Sequence, residues 1–331
     1  MKKIYALILA GIAGMFFFGA SSQSAMAYIV EDLNFQNTGD IVVGPGKTEL
    51  WMDKGDKYTK ELLISNRSGQ KKLFQIKIED FRGSRTEDQT VQFMGDQKGP
   101  FSLKDYVRPE ITEIILNHGQ RLRLPVQIDI PGTADPGGLY GAVLVSAINI
   151  DDNAPELDKD KAAGSMKIVT RLASLFFVRI KGDVLENSYM KDFKSDRRFY
   201  ESGPVSFALL YENNGSVHES PYGIIEIKNM LGKKIDEIQV DPWFVMPDSL
   251  RTREMKWERG LLFGKYTAVA SINRGYQNII DKKSYDFWVI PWKILAVGIA
   301  ATALLIWLFV WIIGHFEIKK RNPSPPVAPL K

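Results

Sequence analysis

The sequence predicts an all-β protein: two tandem immunoglobulin-like antiparallel β-sandwiches followed by one C-terminal transmembrane helix. Three observations carry that expectation. Apolar and polar residues alternate with a period of two through most of the middle of the chain. The alternating runs are short and separated by Gly, Pro, Asn and Asp turns, the pattern of an antiparallel sandwich. A single uncharged stretch of bilayer-spanning length then begins at Ile294.

The N-terminus reads as a secretory signal peptide over residues 1–27. Lys2 and Lys3 form a positive start, Ile4 to Phe18 an apolar run, and Ala25-Met26-Ala27 a small-residue cleavage pattern, so the mature chain is expected to start at Tyr28.

The first sandwich is expected over residues 28–182, distal to the membrane. Phe74, Ile76 and Ile78 alternate with Gln75, Lys77 and Glu79, and Leu122, Leu124, Val126, Ile128 and Ile130 alternate with Arg123, Pro125, Gln127 and Asp129. Each set describes a strand with one buried and one wet face. Further strands are expected at 50–52, 58–65, 139–148 and 168–180. The run 151–164 breaks the pattern with charge and reads as a protruding loop inside this domain.

The second, membrane-proximal sandwich is expected over 183–290. Val205, Phe207, Leu209 and Tyr211 alternate, and strands follow at 224–227, 235–240, 266–272 and 285–289. The halves echo one another. Each has a strand ending in an Asn turn, at Asn66-Arg67-Ser68 and Asn213-Asn214-Gly215, and each has a late Gly-Tyr strand start, at Gly138-Leu139-Tyr140 and Gly264-Lys265-Tyr266.

The transmembrane helix is expected over 291–315. Ile294 to Ile313 carries no charge, and at ~1.5 Å per residue it spans about 30 Å, the thickness of a hydrocarbon core. Trp292 and Lys293 are expected at the outer interface, and Trp311 falls near the inner one, where aromatic belts lie. Lys319, Lys320 and Arg321 then fix the orientation by the positive-inside bias. The basic, Pro-rich tail 316–331 is expected in the cytoplasm, and the ectodomain outside. Gly298, Ala301 and Thr302 share one helical face, which permits weak helix pairing.

Chemistry is sparse. There is no cysteine, which removes disulfides, thiol catalysis and thiolate metal sites. The three histidines, His118, His218 and His315, lie in turns or beside the membrane end with no metal-ligand spacing. Gly44-Pro45-Gly46-Lys47-Thr48 ends like a phosphate loop but lacks its first glycine and reads as a turn. Glu79 and Asp80 are adjacent, so a strand sends them to opposite faces, where they cannot act as a catalytic pair. The net charge of +4 sits partly in the membrane-flanking clusters and does not mark a nucleic-acid binder. No enzymatic activity, cofactor or small-molecule substrate is expected.

Two segments stand out. The corner Pro131-Gly132-Thr133-Ala134-Asp135-Pro136-Gly137-Gly138-Leu139-Tyr140 combines a rigid Pro turn with glycines that let backbones approach closely. Its structural reading is a bulged corner; its functional reading is a groove, with Asp135, Gly137, Gly138 and Tyr140 as candidate binding residues. Asp241-Pro242-Trp243-Phe244-Val245-Met246-Pro247 is too apolar for water and is expected to close the second core.

Lys47-Thr48-Glu49-Leu50, Leu62-Leu63-Ile64-Ser65-Asn66 and the Pro-Gly-Gly-Leu-Tyr-Gly-Ala corner, with the two sandwiches, span and basic tail, resemble the WxL-interacting-protein family of Gram-positive cell surfaces. The resemblance covers most of the chain in layout. It implies a peptidoglycan-binding first domain and assigns no individual residue a role. The expected function is a non-enzymatic, single-pass surface protein that contacts peptidoglycan or another envelope protein. The alternative is an envelope assembly factor resembling pilus chaperones, which binds secreted subunits by strand addition.

Overall fold

A computed structural model of the chain describes residues 27–86, 89–150, 169–260 and 262–315. The signal peptide (residue 27 apart), the charged loop 151–164, and the tail with Lys319, Lys320 and Arg321 lie outside the described residues. The chain is mostly β-structure with one apolar C-terminal helix, and it forms two compact units. The first holds residues up to 82 and 91–185; the second holds 83–90 and residues from 186 on.

In the first unit, β1 (Ile29–Asp32), β2 (Asp40–Gly44), β3 (Lys47–Met52), β4 (Lys57–Arg67) and β5 (Lys72–Arg82) come first. They are followed by β6 (Gln92–Phe93), β7 (Val107–Pro109), β8 (Glu113–Leu116), β9 (Gln120–Asp129), β10 (Gly137–Asn149) and β11 (Val169–Ile180). One sheet runs β1-β9-β4-β2, with β7 also on β9; the other runs β3-β11-β10-β5-β6, with β8 on β5. Their apolar faces meet in one core. Leu62, Ile64, Leu122, Leu124, Val126 and Ile128 come from the first sheet; Phe74, Ile76, Val143, Val145, Phe176 and Val178 from the second. The residues picked by alternation on β9 are thus the buried ones. With no disulfide available, about 1.5–3 kcal/mol per buried large aliphatic or aromatic side chain is the main stabilising contribution.

In the second unit, β12 (Ser188–Ser195), β14 (Val205–Asn213) and β17 (Ser249–Trp257) form one sheet, in the order β12-β14-β17. The other sheet is β13-β19-β18-β15-β16, built from β13 (Phe199–Tyr200), β15 (Tyr222–Asn229), β16 (Lys234–Val240), β18 (Gly264–Asn273) and β19 (Ile280–Val289). Phe207, Leu209 and Tyr211 pack with Ile225, Ile227, Ala268, Ala270, Ile272 and Phe287. Trp243 and Val245 join this core and Met246 is buried, so the segment 241–247 closes the core as expected.

Purely antiparallel sheets were the expectation, and two places correct it. β3 runs parallel to β11, and β13 runs parallel to β19. The chain leaves β2 in one sheet, turns at Pro45-Gly46 and enters the other sheet still moving the same way, which brings it alongside β11.

Helix α1 (Trp292–His315) begins three residues after β19 ends. None of its side chains is buried, and it is long and apolar enough to cross a membrane. An all-round apolar, all-round exposed helix is the pattern of a lipid-facing segment.

Candidate functional site

The predicted corner is built around a side chain that turns inward. Gly137 adopts φ +143°, a conformation that side chains rarely take. A Cβ on Gly138 would collide with the Tyr140 ring, reaching 2.6 Å from Cζ. Tyr140 itself is fully buried. Its ring lies 5.5 Å from Phe177, 6.0 Å from Phe81 and 6.0 Å from Phe101, and Phe81 meets Phe93 at 6.3 Å. These rings form a small second core on the outer face of β10, apart from the main one.

A loop covers this second core, and Asp80 pins the loop. Asp80 is buried, and its carboxylate accepts backbone N–H bonds from Gly99 (2.9 Å), Leu103 (3.1 Å) and Lys104 (3.0 Å). Glu79, also buried, accepts from Arg171 and lies 3.6 Å from Lys77. The two carboxylates therefore have separate partners, as adjacent strand residues must. Of the four corner candidates, Asp135 is exposed, while Gly137, Gly138 and Tyr140 are buried. Gly138 and Tyr140 meet each other, and both serve packing.

Two other features face solvent on sheet-terminal strands, and both were outside the sequence expectation. On β3, Trp51 is 64% exposed, and the Arg179 guanidinium lies 4.6 Å from its ring centre. That makes a flat aromatic platform held by a cation.

The other feature is β17, the last strand of its sheet. The Leu250 N–H donates to the Ser84 carbonyl at 2.9 Å, so a stretch of backbone already lies against the outer edge of β17. Backbone direction alternates along an antiparallel strand, so Thr252, Glu254 and Lys256 present their N–H and C=O to the same side. Among the described residues these three have no backbone partner there. The Thr252 hydroxyl is likewise buried without a hydrogen-bond partner among the described residues. At the same strand, Arg251 stacks 4.2 Å over Phe244 and donates to its carbonyl. Burial, then the neighbouring Arg253, lowers the Arg251 pKa to about 10. The sequence signal for β17 was weak because Ser-Leu-Arg-Thr-Arg-Glu-Met-Lys-Trp hides its alternation under charge.

Of the anchor residues, Trp292 is exposed at the helix start, its N–H bonded to the Ile290 carbonyl at 2.8 Å. Lys293 pairs with Glu201 at 2.9 Å and sits 5.7 Å from the Trp292 ring. Trp311 lies in the last turns, stacked 4.6 Å from His315. Thr302 donates to the Gly298 carbonyl at 2.8 Å. Among the described residues no group of three or more His, Asp or Glu is placed to hold a metal ion.

No family model matches the chain, and no curated protein does. Solved structures do. The class 5 fimbriae chaperone CfaA is 13% identical, over 76% of this chain and all of its own, with a TM-score of 0.36. The E. coli chaperone DraB is 14% identical over 76% of this chain and 96% of its own, with a TM-score of 0.33. The CsuC–CsuE chaperone–tip subunit pre-assembly complex of Acinetobacter baumannii is 9% identical over 65% of this chain and 89% of that chain, with a TM-score of 0.35. At these TM-scores the likeness carries no argument about function.

Proposed function

We propose that this chain is a non-enzymatic, membrane-tethered binding protein of the cell envelope, whose partner is another envelope protein held as an extended segment along the edge of β17. The units are read as immunoglobulin-like sandwiches, outside the membrane, with α1 as the single span and the basic tail in the cytoplasm. The observation that carries the reading is the Leu250–Ser84 hydrogen bond, by which the chain's own backbone already lies against this edge, with Thr252, Glu254 and Lys256 continuing it. Main-chain hydrogen bonds supply affinity in such strand addition, and side chains supply selectivity. With Arg251, Arg253 and Lys256 against Glu254, β17 is net positive, which favours an acidic partner segment and disfavours edge pairing with basic strands. The matched chaperone names bring an assembly-factor version of this reading, in which the segment belongs to a secreted subunit; they bring no argument for it.

The test places a photo-crosslinking residue at Glu254 in the full chain on intact cells. One envelope protein should be captured through an extended acidic segment. Thr252→Pro removes an edge N–H that does not serve the β14 ladder, so it should abolish capture while leaving thermal unfolding unchanged. Capture that persists in Thr252→Pro sinks the reading, as does the lack of any adduct.

A second reading rests on Trp51. An exposed indole backed by Arg179 is a surface on which a sugar ring stacks, and the resemblance to WxL-interacting proteins implies peptidoglycan as the ligand. Retention of the full chain, in detergent, on purified cell walls should fall when Trp51 is changed to Ala. Equal retention of the variant removes this reading.

A further inference from the structure

The strand register of the second unit brings several exposed apolar side chains to one level. Gly264 pairs with Val289, and Asn229 pairs with Tyr266, which itself pairs with Phe287. Two residues beyond Asn229, the β15–β16 turn therefore reaches the level of Val289, and the Met230 sulfur lies 3.9 Å from where a Cβ on Gly264 would stand. β13 sets Phe199 beside Trp288. At this end of the sheet Leu231 is 87% exposed, Met230 70%, Phe263 66% and Phe199 62%.

Scattered exposed apolar residues are ordinary on a protein surface. These are not scattered. They gather where β19 hands over to α1, whose first residue, Trp292, follows Val289 by three positions. The junction is braced as well. The Ile290 N–H bonds the Tyr200 carbonyl at 2.8 Å, the Leu295 N–H bonds the Pro291 carbonyl at 3.0 Å, and Lys293 pairs with Glu201. With neighbouring strands ~4.8 Å apart, the β15–β16 turn lies about 10 Å from the helix entry, two strands away. A bilayer that receives α1 therefore meets these side chains too. Arg198, Lys233 and Lys293 adjoin Phe199, the Met230-Leu231 turn and Trp292 in sequence, which gives the apolar tips a cationic fringe suited to lipid headgroups.

We infer that the second unit docks on the lipid bilayer through Met230, Leu231 and Phe263, with Phe199, Trp288 and Trp292 at the headgroup level, so that it stands braced on the membrane rather than swinging on a tether. The inference rests on α1 spanning that membrane. The chain has no native cysteine, so single cysteines report one site each. The full chain carrying Leu231→Cys, Phe263→Cys, Ile280→Cys or Leu304→Cys is labelled with a polarity-sensitive fluorophore and placed in nanodiscs with headgroup-level or deep spin-labelled lipids. Ile280 opens β19 at the opposite end, roughly 30 Å from Val289 at ~3.4 Å per residue, and is the aqueous reference.

Labels at 231 and 263 should be quenched several-fold more by headgroup-level spin labels than the label at 280, while 304 responds to deep ones. If 304 is quenched but 231 and 263 match 280, the docking is overturned and the span stands. If 304 also matches 280, the span fails and the docking falls with it.

Discussion

Asn66 and Asn213 hold the same station in the two units. Each is fully buried at the end of a long strand, β4 or β14. The Asn66 amide donates to the carbonyls of Gln70 (2.8 Å) and Leu116 (2.9 Å), while its oxygen accepts from the Ser68 N–H at 3.1 Å. The Asn213 amide donates to Val217 (2.8 Å) and Val245 (3.0 Å), while its oxygen accepts from the Gly215 N–H at 2.8 Å. In both, one side chain closes its own turn four residues on and ties that turn to a distant segment. The faint echo of Asn turns in the sequence thus has a physical basis.

That arrangement predicts a shared cost. Asn213→Ala leaves two buried carbonyls and one buried N–H without partners and should lower stability by about 3 kcal/mol, whereas Asn66→Ala strands one buried carbonyl, that of Leu116, beside the part-exposed Gln70 carbonyl and Ser68 N–H, and should cost about 2 kcal/mol. Chemical denaturation of the single variants checks this. A loss below about 1 kcal/mol would mean that water replaces the amide, contrary to the burial seen.

Gly138 and Tyr140 make a second pair whose geometry is testable. Gly138→Ala drives a Cβ into a ring already enclosed by Phe81, Phe101 and Phe177, so overpacking should cost about 1–3 kcal/mol. In a Tyr140→Leu background the same change should cost clearly less, because the obstructing ring is gone. A double-mutant cycle with no coupling between the two would refute the contact.

The alternating sets on β5, β9, β14 and β18 were legible because polarity tracks burial along most of each strand, although Glu79 on β5 and Pro125 on β9 are buried against the pattern. β10 was legible as a strand but not as a twice-buried one: Tyr140, Ala142 and Leu144 face a second core that is closed in part by a distant loop pinned by Asp80. Nothing local in Gly-Gly-Leu-Tyr announces a partner such as Phe101, 39 residues earlier in the chain. β17 was hidden for the opposite reason, since its core-side positions include Arg251 and Arg253, and the Arg251 stem lies over Phe244 while its head donates to the Phe244 carbonyl. The edge that carries the proposed function was therefore the part least visible beforehand.

Alkaline pH should find the core of the second unit through Tyr211. Burial, the largest cause, raises its hydroxyl pKa above the ordinary 10.0. A group raised on folding contributes stability that is complete below its unfolded value and is lost as pH rises through the folded one. Stability should therefore hold up to about pH 10 and decline above it. Tyr211→Phe should flatten that decline at little cost near neutrality, since its nearest hydroxyl contact, Ser188, is 3.4 Å away. Urea titrations from pH 8 to about 11.5 would show it, and an unchanged slope in the variant would assign the decline to other groups.

Orientation in the membrane gives the last expectation. The helix has no charge from Ile294 to Ile313, so nothing within it selects a direction. Direction must come from its flanks, where Lys293 is held by Glu201 on one side and Lys319, Lys320 and Arg321 follow on the other. Three cationic residues against one paired lysine favour the second flank in the cytoplasm. Changing all three to Glu removes that bias without touching either core, so the units should unfold at the same temperature while retention or topology weakens. Protease shaving of intact cells separates the possibilities. With the native trio, the β-units should be digested from outside and a tag placed after Lys331 should survive. Cleavage of that tag in intact cells, with the β-units protected, would reverse the orientation proposed here.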